Sequence, residues 1–175
     1  MRIIENFENS KTDFEKLKKF DEQKTKVFKY ITYKKRTEQE VRNKFRGQIS
    51  QEDLDEIIEY LKEANYLNDY DFIEKQVREY MNLKTLSIKE IKYKLYSKGL
   101  DSKLVEKYID NNYEKLKEYE NKCIQKIKAK KAQTMTEEEI LQYLYKKGYK
   151  IEKYDYQKEI AKCKTYLHLK QENTL

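Results

Sequence analysis

Arg36, Arg42 and Arg46 lie within eleven positions of one another, just after Lys34 and Lys35. Elsewhere the chain chooses lysine: of 39 basic residues, only Arg2, Arg36, Arg42, Arg46 and Arg78 are arginine. A guanidinium is a planar fork of donors that can grip a carboxylate or a phosphate with two bonds, whereas an ammonium is a point charge. The cluster is therefore the first candidate for contact with a polyanion or an acidic protein surface. A net charge of +7 points the same way. For any single lysine, a solvated place on the wet face of a helix explains as much.

Catalytic and metal chemistry finds little support in the residue types. His168 is the only histidine, and Cys123 and Cys163 stand forty residues apart, which is no zinc spacing. Cys163 and His168 lack a third group and an oxyanion loop, so they do not compose a nucleophilic triad. Gly47, Gly99 and Gly148 are too far apart for a phosphate loop. No acidic pair has a reason to be buried. The expectation is a protein that is not an enzyme and uses no cofactor or metal. Both cysteines read as small core residues in a reducing cytoplasm. No run of 18 apolar residues suggests a membrane span, and no secretion signal opens the chain.

The elements that would position the cluster repeat along the chain. Ser87 and Glu90 have the spacing of a capping box, in which each side chain satisfies a backbone N–H left free by the first helical turn. Ile88, Ile91 and Leu95 then share one face, and Gly99 permits the left-handed turn that ends many helices. Asp101 can cap the next helix. Thr136, Glu139, Ile140, Leu144 and Gly148 repeat the pattern, as do Thr37, Glu40, Val41 and Phe45. The period is about 50 residues, the scale of a helical repeat array. The copy at Thr37 departs at its end: Ile49 stands where Gly99 would align, so its helix must stop differently. With no Pro and three Gly, β structure is disfavoured.

These observations predict an all-α chain, a tandem array of three three-helix repeats resembling helix-turn-helix modules, elongated and curved. The expected bounds are a partly helical segment 1–23, repeats at 24–68, 69–112 and 113–169, and a frayed tail at 170–175. Leu54, Ile57, Ile58 and Leu61 give the cleanest amphipathic helix. Asp69 is expected to cap the helix that follows it. Tyr156, Ile160, Cys163 and Leu167 predict a last helix. The expected contact residues are Lys34, Lys35, Arg36, Arg42 and Arg46, with Arg78, Lys89 and Lys92 from the second repeat.

Four stretches, in order, carry a resemblance to a known family. Tyr33-Lys34-Lys35-Arg36-Thr37-Glu38-Gln39-Glu40-Val41-Arg42 is similar to the basic turn and helix of the RecX family, regulators of the bacterial recombinase RecA. Tyr66-Leu67-Asn68-Asp69-Tyr70-Asp71-Phe72 resembles that family's junction, with Asn65 in place of its usual Gly. Asn tolerates the left-handed conformation, so the turn is expected to survive. Lys98-Gly99-Leu100 and Leu144-Tyr145-Lys146-Lys147-Gly148-Tyr149 are similar to the ends of the second and third repeat helices. The resemblance covers about residues 24–163. It implies a non-enzymatic, cytoplasmic, monomeric protein that binds RecA filaments on single-stranded DNA, contacting the DNA directly or through the filament. It further implies suppression of ATPase and strand-exchange activity, and so negative modulation of recombination and the SOS response. A helix-turn-helix DNA-binding protein acting without RecA, and a purely structural helical scaffold, are the alternatives.

Overall fold

The computed structural model describes residues 2–151, with side chains from Asp13 onward. Eight helices follow in order: α1 (Arg2–Tyr33), α2 (Glu38–Phe45), α3 (Gln51–Glu63), α4 (Asp69–Leu83), α5 (Ile88–Tyr96), α6 (Ser102–Asn111), α7 (Tyr113–Lys131) and α8 (Glu137–Lys146). No strand occurs among the described residues, so the all-α expectation holds. None of the described helices is long and apolar enough to cross a membrane. The expected last helix, His168 and the tail lie outside the described residues.

The described chain divides into two units. One holds residues up to Gln76 together with Leu95–Tyr108; the other holds Val77–Lys94 together with the chain from Ile109. In the first, Val27 and Ile31 of α1, Val41 and Phe45 of α2, and Leu54, Ile57, Ile58 and Leu61 of α3 form one buried cluster. Fully burying a side chain of this size stabilises by about 1.5–3 kcal/mol. Tyr30 meets Phe45 edge-on at 5.6 Å, and Phe28 meets Tyr66 at 4.9 Å. In the second unit, Ile91, Leu116, Cys123, Ile140 and Leu144 are buried.

All three capping boxes form. Glu40, Glu90 and Glu139 each accept from the N–H of their N-cap, Thr37 (3.4 Å), Ser87 (3.0 Å) and Thr136 (2.8 Å). Each N-cap hydroxyl accepts in turn from the N–H of its glutamate (3.1, 3.1 and 3.3 Å). Asp101 caps α6 through the Leu104 N–H at 2.9 Å. Asn65 takes φ +57°, the left-handed turn expected of it.

Two local readings need correcting. Residues 1–23 do not stand apart: α1 runs unbroken from Arg2 to Tyr33, because neither Pro nor Gly interrupts it. Asn68, not Asp69, caps α4, accepting from the N–H groups of Tyr70 and Asp71 (3.0 and 3.1 Å). Asp69 instead reaches back to α2 and accepts from the Glu38 N–H at 3.0 Å. Glu120, a single carboxylate rather than one of a pair, is only 3% exposed.

Gly47, Gly99 and Gly148 all adopt positive φ (75°, 74° and 80°). Gly47 does so in a type II turn after Arg46 (φ −54°, ψ 125°), closed by the Gln48 N–H on the Phe45 carbonyl at 3.0 Å. This is the different stop that the missing glycine at position 49 requires. A Cβ on Gly47 would meet nothing within 4 Å, whereas one on Gly99 would collide with the Gln39 stem. Gly47→Ala should therefore cost only the backbone strain, about 1–2 kcal/mol, and Gly99→Ala distinctly more. Thermal melts of the two variants followed by circular dichroism check this; equal losses would show that the Gln39 contact is not constraining.

Candidate functional site

The arginine cluster is built on the start of α2 and is largely occupied by its own unit. Arg36 lies over the Tyr30 ring at 4.7 Å and pairs with Glu40 at 3.9 Å. Its buried Nε has no hydrogen-bond partner. Arg42 donates through Nε to Glu38 at 2.8 Å and through Nη1 to Asp55 of α3. The Asp55 bond is the chief reason the guanidinium holds its proton still more firmly than usual. Glu38 also takes Lys62 at 3.0 Å. Burial alone would raise the Glu38 pKa, but the bonds from Lys62 and Arg42 outweigh it and leave the carboxyl below its ordinary range. Lys34, Lys35 and Arg46 are exposed, and Arg46 donates to the Asn43 side chain at 3.5 Å. Arg78 is exposed on α4; Lys89 is exposed and Lys92 half-buried on α5. The structure brings Lys34, Lys35, Arg36, Arg42 and Arg46 to the two ends and one side of α2. Lys89 and Lys92 belong to the other unit.

A joint with no counterpart among the sequence expectations recurs in both units. The Thr37 hydroxyl donates to the Lys98 carbonyl at 2.8 Å, and the Ser87 hydroxyl donates to the Lys147 carbonyl at 2.7 Å. Each carbonyl belongs to a helix end and would otherwise lack a donor. Lys98 then pairs with Glu40 at 2.9 Å, and Lys147 with Glu90 at 3.4 Å. Gly99 faces the stem of Gln39, and Gly148 that of Lys89. Asp69 accepts from the first N–H of α2, and Glu120 from that of α5 (3.0 and 2.8 Å). The Lys-Gly pairs at 98–99 and 147–148 were the signal in the sequence that could have revealed it. Thr136 differs: its exposed hydroxyl turns back onto its own Glu139 carboxylate at 3.0 Å.

Buried polar groups cluster beside the second joint. The Tyr119 hydroxyl donates to the Lys84 carbonyl at 2.9 Å and accepts from the Leu86 N–H at 3.0 Å. Burial pushes the pKa of Tyr119 up. Burial also raises the Glu120 pKa, with the Ile88 and Lys150 N–H groups drawing it partly back. The folded chain thus holds the Glu120 proton more tightly than the unfolded chain, so this group disfavours folding as pH rises above the ordinary glutamate range. Glu120→Gln keeps an acceptor for the Ile88 N–H and removes that dependence. Its melting temperature should gain on the parent between about pH 4 and pH 7. Parallel pH profiles for the two proteins would show that Glu120 does not titrate abnormally.

No protein-family model matches the chain. Among curated proteins it is similar to the regulatory protein RecX of Finegoldia magna, with 33% identity over 95 residues, 54% of this chain and 46% of that one. The regulatory protein RecX of Caldanaerobacter subterraneus is 30% identical over 133 residues, 75% and 66% of the two chains. That of Staphylococcus haemolyticus is 27% identical over 151 residues, 81% and 55%. The chain thus spans from about half to two thirds of these relatives' length. Among solved structures, RecX from Lactobacillus salivarius superposes with a TM-score of 0.64 at 27% identity, covering 75% of this chain and 88% of that one. A second regulatory protein RecX, 19% identical, shares the fold with a TM-score of 0.63. Sequence relatives and fold agree, and the chain belongs to the RecX family.

Proposed function

We propose that this protein is a non-enzymatic regulator that binds RecA filaments on single-stranded DNA and inhibits their recombinase and ATPase activity. The observation that carries the reading is the ordered set of family motifs set on one helical joint that recurs with a period of about 50 residues. The likeness to proteins called regulatory protein RecX supports it. The repeats proposed at 24–68, 69–112 and 113–169 would give several weak contacts whose effects multiply through high effective concentration.

Within this reading the exposed side chains Lys34, Lys35 and Arg46 are the contact candidates of the first unit. Arg36 and Arg42 contribute mainly by fixing α2 against α1 and α3, since their guanidinium groups are engaged there. Lys34→Ala/Lys35→Ala/Arg46→Ala should weaken inhibition of RecA ATP hydrolysis several-fold and leave the melting temperature within a degree or two. Arg42→Ala should lower the melting temperature, because it leaves Asp55 without its main partner and Glu38 with Lys62 alone. If the wild-type protein at saturation leaves RecA ATP hydrolysis on single-stranded DNA unchanged, the reading fails. A helix-turn-helix protein acting without RecA would instead show sequence-selective duplex binding at physiological salt.

A further inference from the structure

The second unit carries an open cleft of about 630 Å3 beside its joint. Lys89 and Lys92 of α5 line one part; Lys146 at the end of α8 and Lys150 beyond it line another. Gly148 is part of the wall. Because it has no Cβ, the Lys89 stem can cross it; a Cβ there would come within 2.7 Å of that stem. Lys150 Nζ sits over the Tyr113 ring at 5.6 Å. Tyr145, also in the wall, is 80% exposed.

The matching region of the first unit is charge-compensated. Arg42, Lys62 and Lys98 each touch a carboxylate, and Lys147, the counterpart of Lys98, likewise pairs with Glu90. In the second unit Ile88 stands where α2 has Glu38, and Lys89 where it has Gln39. Lys89, Lys146 and Lys150 have no carboxylate within ion-pair distance among the described residues. Glu120 also lines the cleft, but it is buried, accepts from backbone N–H groups and feels the Lys150 charge beyond ion-pair distance. Asp110 is the other acidic group of the wall. Three ammonium groups without an ion-pair partner, those of Lys89, Lys146 and Lys150, therefore share the cleft with two carboxylates, one of them already engaged.

We infer that this cleft binds single-stranded nucleic acid, with phosphates held by Lys89, Lys146 and Lys150 and a base stacked on Tyr145. The pairing of lysines with an exposed ring suits that ligand class: the charges track a phosphate backbone, and the ring offers a face that any base can cover. The volume lies in the range of small-ligand sites and suits one or two nucleotide units. An acidic peptide would use the lysines but gain little from the ring. The inference deepens the function proposed above, and rests on it only for placing the cleft near DNA in the cell.

Anisotropy of a labelled oligothymidine strand, titrated with the full chain in the absence of RecA, tests it. Lys89→Glu/Lys146→Glu should weaken binding at least tenfold and flatten the salt dependence, by about 0.7 in the log–log slope for each phosphate no longer held. Tyr145→Ala should weaken binding about tenfold with the slope unchanged, the mark of stacking. Lys103→Glu/Lys107→Glu makes the same charge change on α6 and should have a much smaller effect. An equal loss in that control, no effect of Tyr145→Ala, or equal competition by polyglutamate would overturn the inference. RecA ATP hydrolysis run in parallel separates the two claims. Inhibition without strand binding at the cleft refutes the cleft alone; strand binding at the cleft without inhibition upholds it and refutes the regulator reading.

Discussion

The hydroxyl at the start of a short helix holds each unit together. Thr37 and Ser87 are both fully buried, and each satisfies two backbone groups at once. Each accepts from a first-turn N–H that its own helix cannot satisfy, and each donates to a carbonyl stranded at the end of another helix. Removing such a hydroxyl would leave a buried carbonyl without a donor, a loss of about 1–3 kcal/mol. The rest of the joint follows from this bridge. It sets the lysine that bears the carbonyl opposite the glutamate of the box, and it brings the positive-φ glycine against a side-chain stem.

That geometry decides where charge is free. In the first unit the carboxylates Glu38, Glu40 and Asp55 take up Arg42, Lys62 and Lys98. Arginine suits that place through its planar fork, but the fork grips the protein's own acids. In the second unit Ile88 replaces Glu38, and Lys89 beside it has no carboxylate partner among the described residues. The same backbone joint thus clamps both units, and in the second it also forms part of the wall of a cationic cleft. A chain-wide net charge cannot distinguish these two uses.

What could be read from the sequence was local. The capping boxes, the apolar face of Leu54, Ile57, Ile58 and Leu61, the turns at Gly99 and Gly148 and the left-handed Asn65 depend on residues within a few positions of each other. Periodicity and turn chemistry report such features directly. The long-range half was not legible. Nothing near Thr37 says that its hydroxyl meets Lys98, and nothing near Asp69 says that it caps α2 rather than α4. Asn68, one residue earlier, was the better cap, and a sequence offering two capping residues in succession does not say which is used. Glu120 looked like one acid among many, because its reason for burial is the Ile88 N–H, 32 positions away. The arginine cluster was visible as a cluster, but its neutralisation depends on how α2 and α3 pack.

The proposed engagement of RecA filaments on single-stranded DNA can be measured by co-sedimentation. With filaments assembled on single-stranded DNA, the protein should enter the pellet saturably. It should do so more than with the same amount of DNA alone. Protein that remains in the supernatant at saturating filament, or that pellets no better with filaments than with bare DNA, would show that the chain does not engage the filament.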